Sequence, residues 1–203
     1  MDPVVYLHWN LFKTPSGINK SIPWDPRFVP SYTPEEMLKM GVFEGKYINA
    51  VKGVPEAWKK FPKVLGKNDE PDESLNYYGV KSRQPLSIWK KNGWITHHDP
   101  IGWFSWMINY AAGRRLDKED ERQINRWRSF IARHQGQINA DPKSKNKDAR
   151  LAQKQGLLQW AWDWETTFTD EQLEKNLKKL GVKIEKEENI VKESIHIPIY
   201  AKW

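Results

Sequence analysis

Cysteine is absent from the 203 residues, which excludes a disulfide framework, a thiol nucleophile and any cysteine-ligated zinc or iron-sulfur centre. Long apolar runs are missing as well: no stretch approaches the roughly 18 residues that a membrane span requires. The N-terminal MDPVVYLHWNLFKTPSG has no basic segment followed by an apolar one, as a secretory leader would. The expectation is a soluble, intracellular protein with no membrane partner. P-loop, dinucleotide, GxSxG, HExxH and kinase signatures are also lacking, so neither a cofactor nor a metal is implied. Hydrophobic residues reach only 38% and the mean hydropathy is -0.81. Against these deficits stand 12 Trp, 7 Tyr and 7 Phe, side chains that each bury about 150–250 Å². A core built from this chain is aromatic rather than aliphatic.

Charge is present in excess and unevenly placed. The net charge is +7, and between Arg114 and Arg150 eleven Lys/Arg face six Asp/Glu, whereas residues 169–203 balance at seven against seven. A concentrated positive field favours an anionic partner, DNA or RNA above all, although the same field also serves solubility.

Local signals divide the chain into an irregular arm over 1–32, a helical domain over 33–181 and an extended tail over 182–203. Five prolines interrupt the arm, and Trp9, Phe12, Trp24 and Phe28 are the side chains expected to dock it. A first helix is predicted at TPEEMLKMG, with Thr33 as cap, Glu36 completing a capping box and Gly41 as stop. Further short helices are expected between Pro55 and Phe61 and between Pro85 and Gly93. Asp99 is read as the cap of a helix starting at Pro100 and ending at Gly113. That helix is apolar nearly all round, with only Gly102, Ser105 and Asn109 on a polar strip, and so belongs in the interior. Asp117 is read as the cap of the next, whose Ile124, Trp127 and Ile131 oppose a stripe of Arg122, Arg126 and Arg133. A helix in ARLAQKQGLLQWAWDW, with Leu151, Leu158 and Trp162 on one face, and another in TDEQLEKNLKKLG, with Leu173, Leu177 and Leu180, complete the set. The fold class is therefore all-α, a compact orthogonal domain of about six or seven helices around a tryptophan-rich core. The tail after Val182 alternates as one extended strand or arm.

The strings FEGKYIN, LNYYGVKSR, GWITHHDPIGWFSWMINYAAGRRLDKEDERQINRWRSFIARH and LLQWAWD occur in that order between Val42 and Trp164. This order resembles a family of small proteins of fungi, algae, plants, bacteria and large DNA viruses in which DP-x-GWF-x-W, GRR and D-x-RQI-x-RW recur. The family carries no assigned activity, so the resemblance implies no catalytic residues.

Candidate sites follow from residue chemistry. Arg114, Arg115, Arg122, Arg126 and Arg133 offer guanidinium forks suited to phosphate oxygens, with Trp103 or Tyr78 available to stack beside a base. The competing reading has Arg114 and Arg115 satisfying helix carbonyls or pairing with acids, Asp163 among them, and leaves the stripe as a solvated face. His97-His98-Asp99 invites a metal or acid-base role, but adjacent side chains diverge and no further ligand has suitable spacing. His134 is placed near a helix end where the dipole stabilises its cation. Asp163 in WAWDWETTF and Glu44 in FEGKYIN are acids among aromatics and, with His98, the candidates for general acid or base. LNYYGVKSR reads as a turn packed by Tyr77 and Tyr78.

Three functions are thereby open. The leading one is a nucleic-acid-associated module binding phosphates through the arginine cluster. The second is a virus-associated structural or assembly protein whose terminal arms reach onto neighbouring subunits. The third is an enzyme acting on DNA bases or nucleotides.

Overall fold

The structure is a computed structural model and describes residues 18–19, 21–51, 54–144, 146–166 and 169–181; Trp9, Phe12 and the tail from Val182 lie outside the described residues. Helix α1 (Pro34–Met40) forms where the caps require it. The Glu36 amide donates to the Thr33 hydroxyl at 3.2 Å and the Thr33 amide to the Glu36 carboxylate at 2.8 Å. Gly41 stops the helix at φ +106°, and a Cβ there would lie 2.0 Å from the Leu75 carbonyl oxygen. The chain then makes four 3-10 turns, Phe43–Gly45, Ile48–Ala50, Glu56–Lys60 and Glu73–Leu75, so the helix expected after Pro55 is the third of these. Helix α2 (Leu86–Lys91) follows Pro85. Four more helices follow: α3 (Trp103–Ala111), α4 (Asp117–Asn139), α5 (Leu151–Gln159) and α6 (Asp170–Leu180); no strand occurs among the described residues. Helix α3 packs against α1 and α4, and α4 packs in turn against α5.

Three element boundaries differ from the sequence reading, each for a physical reason. Helix α3 begins at Trp103, not Pro100, because Asp99 turns inward and Gly102 enters the helix at φ 75°, ψ -147°. Helix α4 starts at Asp117 itself, with Leu116 before it. The Leu116 amide donates 2.7 Å to the Asp120 carboxylate, so the fourth residue of the helix closes its end. Helix α5 stops at Gln159 since Ala161 takes φ 57°. Both the Ser31 and Tyr32 amides donate to the Ala161 carbonyl, and Trp162 is buried by this turn rather than by a helical face.

The core is aromatic, as the composition implies. Trp24, Phe28, Trp58, Trp103, Trp106, Tyr110, Trp127 and Trp162 are all buried. Phe28 is its hub: its ring stacks on Trp24 at 5.4 Å and meets Trp103, Trp106, Tyr110 and Trp127 edge-on at 5.1–5.8 Å. Edge-to-face geometry suits the opposed charge of ring edge and ring face. The described part of the arm is therefore integral to the core, not an appendage. The Asn19 amide donates to Ala111 and the Asp25 amide to the Tyr110 hydroxyl, while Asn176 of α6 donates to the Val29 carbonyl.

Candidate functional site

The DPIGWFSW, GRR and DERQINRW segments are largely bonded to one another. Arg114 forms a buried ion pair with Asp99, both side chains at most 4% exposed. The Asp99 carboxylate also accepts from Ser105 at 3.2 Å and Asn109 at 3.0 Å, so the polar strip of α3 faces inward onto this acid. Arg115 donates to the Pro23 carbonyl at 2.6 Å and to the Tyr110 carbonyl at 2.8 Å, and lies 3.7 Å over the Tyr110 ring. Trp106 donates to Asp120 at 2.7 Å, Trp103 to the Gln159 carbonyl and Trp127 to the Trp160 carbonyl. Neither Arg114 nor Arg115 pairs with Asp163, and Trp103 is too buried to stack on a ligand base. A guanidinium already held by a buried carboxylate or by backbone oxygens has no free fork for phosphate.

The stripe on α4 is similarly engaged. Arg122 makes two bonds to Glu119, at 2.7 and 2.8 Å. Arg126 is half-buried and lies 5.6 Å from the Trp94 and Trp160 rings. Burial, reinforced by Arg122, pulls its pKa down to about 10. Of the five proposed arginines Arg133 alone is exposed. His97 and His98 are exposed, their rings tilted at 44° to each other, and among the described residues no group of three or more His, Cys, Asp or Glu is placed to hold a metal ion. His134 does not sit at a helix end, since α4 continues to Asn139. It stacks on Phe130 at 3.9 Å, and burial lowers its pKa despite a bond to the Phe130 carbonyl. The neutral ring is therefore favoured, where a dipole-stabilised cation was expected.

Glu44 is buried beside Arg83, its Oε2 accepting from the Arg83 Nε at 2.7 Å. Its backbone occupies φ 56°, ψ 34°, and the neighbouring Phe43 and Tyr47 also have positive φ. Such a run of left-handed non-glycine residues stores strain. It is held in place by the Glu44 amide donating to Asn76 and the Phe43 amide donating to Gln159. FEGKYIN and LNYYGVKSR thus meet in space, lining an open cleft of about 340 Å³ with Pro71, Asp72, Glu73 and Lys81.

Asp163 lies in a different cavity, about 170 Å³, walled by Tyr32, Tyr77, Tyr78, Trp162 and Trp164, with Lys147, Lys154 and Glu165 also on its lining. The Tyr32 hydroxyl faces the same cavity, and its pKa is raised, by burial first and then by the charge of the Asp163 carboxylate. The Glu165 amide donates 3.0 Å to Asp163 Oδ1. Trp164 donates its indole N–H to the Tyr78 hydroxyl at 2.7 Å, and burial pushes the Tyr78 pKa up to about 12. Lys154 is fully buried. Its ammonium donates to the carbonyls of Ser144, Asn146 and Lys147 and sits 3.7 Å from the centre of the Trp164 ring. Burial pulls it below the ordinary lysine range. One side chain thereby locks the lysine-bearing loop to the wall of the aromatic cavity. The loop is stiffened again by Arg150, which donates 2.7 Å to Asp141, and Lys143 and Lys147 project from it exposed.

Sequence reasoning singled out Asp163 and Tyr78 but missed Tyr32, Lys147, Lys154 and Trp164. The available signal was the closeness of KSKNK to WAWDW along the chain. Nothing local marks Lys154 as buried. Tyr77, expected to pack a turn, is 52% exposed at the cavity rim.

Fold and cavity together define an all-α, tryptophan-cored domain bearing an aromatic pocket beside a lysine-bearing loop. Compared with protein-family models, with curated proteins and with solved structures, the chain matches none. No helix among the described residues is long and apolar enough to cross a membrane.

Proposed function

We propose that the chain binds single-stranded nucleic acid, with the aromatic cavity receiving one unpaired base and the exposed lysines of the 141–150 loop receiving the adjoining phosphates. The observation that carries this reading is the locking of loop to cavity by Lys154. Aromatic faces stack on any base, worth about 1–3 kcal/mol each, and a base enters such a pocket only when it is unpaired. Convergent polar groups and perturbed ionisable side chains beside aromatic walls are the character of a ligand site. The positive balance over 114–150 remains relevant as a steering field, although the arginines that create much of it are engaged internally.

The test is a fluorescence anisotropy titration of a labelled single-stranded oligonucleotide at about 50 mM salt, repeated over a salt series. Contacts to two or three phosphates predict a slope of log Kobs against log salt of about -2. Lys143→Ala combined with Lys147→Ala should flatten that slope by about 1.4 while leaving the melting temperature unchanged. Absence of binding at low salt would overturn the reading.

A further inference from the structure

We infer that the base taken into the aromatic cavity is guanine, read on its Watson–Crick edge by the Asp163 carboxylate. This rests on the nucleic-acid reading and deepens it. A carboxylate has about four acceptor positions, of which the Glu165 amide occupies one and orients the group. At least two positions remain for a ligand. Guanine presents two neighbouring donors, N1–H and N2–H, on one edge. Adenine and cytosine set a ring-nitrogen acceptor beside their amino group, and thymine and uracil flank a single N–H with carbonyl oxygens. Each of these places an acceptor against Asp163, which leaves a polar group unpaired.

The rest of the cavity agrees with this edge. Tyr78 accepts the Trp164 N–H, so its own hydroxyl hydrogen is left to donate to a carbonyl such as guanine O6. At about 170 Å³ the cavity is below the roughly 300–1,000 Å³ of a site for a drug-sized molecule. It suits a single flat ring system whose sugar and phosphate remain outside, towards Lys147. Trp164 is held on one side by Tyr78 and on the other by Lys154, so the wall is pre-organised and little ordering cost attends binding.

The same edge occurs in free guanine nucleotides and in strands, and the experiment separates the two. Four labelled pentadeoxynucleotides TTXTT, with X as G, A, C or T, are titrated by anisotropy with the wild-type protein and with Asp163→Asn. GMP binding is followed by quenching of tryptophan fluorescence. The expected result is that the G strand binds about ten-fold more tightly than the other three, and that Asp163→Asn removes this advantage by weakening the G strand. Equal affinity for all four strands overturns the guanine assignment and leaves the nucleic-acid reading standing. A G preference that persists in Asp163→Asn overturns Asp163 as the reader. Binding of GMP without any strand supports the guanine edge and overturns the strand reading, and binding of neither overturns both. The comparison of four bases on the wild-type protein decides the matter even if the variant fails to fold.

Discussion

Asp99 and Asp163 are the same side chain in two different employments. Asp99 is enclosed, saturated by donors from Ser105, Asn109 and Arg114, and its removal would leave a buried guanidinium without its counter-charge. Asp99→Ala should therefore cost about 3–5 kcal/mol in urea unfolding. Asp163 is half-buried at a cavity wall, and Asp163→Asn should change stability by no more than about 1 kcal/mol in the same measurement. At His134 the folded-state pKa is lowered, principally by burial. Below about pH 6.5 the unfolded chain takes up a proton that the folded chain resists, so this residue costs stability as pH falls, and the loss levels off below the folded pKa. Melting temperatures at about pH 7.5 and 5.5 should show a larger acid loss in the wild type than in His134→Gln.

At the scale of elements, the caps at Thr33 and Thr169 were legible, whereas those read at Asp99 and Asp117 were not, and neither were distant partners. Thr33 with Glu36, and Thr169 with Gln172, act at the helix starts their residue types suggest, because a cap involves atoms three residues apart. Gly41 combines two constraints that sequence cannot separate. Its φ of +106° disfavours any side chain, and the Leu75 carbonyl fills the place of a Cβ. Gly93 has a φ of +65° with nothing within 4 Å of a Cβ. Gly41→Ala should accordingly cost more than about 3 kcal/mol, and Gly93→Ala about 1 kcal/mol, by equilibrium unfolding. A similar loss in both would contradict the close approach at Leu75. The inward turn of Asp99 and the left-handed Ala161 were not legible, since each answers to a partner far away in the chain: Arg114 for the first, Ser31 and Tyr32 for the second.

For the whole molecule, the described residues before α1 are structural. Phe28 touches five aromatic rings contributed by three different stretches of chain, and Phe28→Ala should destabilise by about 3–5 kcal/mol. A truncated chain starting at Thr33 should lose the near-ultraviolet circular dichroism of its packed tryptophans. Retention of that signal would show that the core closes without Trp24 and Phe28. The Asp, Trp and Arg side chains of DPIGWFSW, GRR and DERQINRW belong to this scale too, since they hold α3, α4 and the described part of 18–32 together.

Sequence by itself determined the helices, their main stops and an aromatic core, because these depend on periodicity, caps and the size of side chains that must leave water. It also marked Asp163 and Tyr78 as chemically interesting. Only the tertiary structure decided where each charge goes. An ion pair forms with whichever carboxylate packing brings within bonding distance, and for Arg114 that is Asp99 and not Asp163. The cavity likewise exists only once Tyr32, Tyr78, Lys147, Lys154, Asp163 and Trp164 converge, a meeting fixed by the packing of an aromatic core and carried by no local pattern.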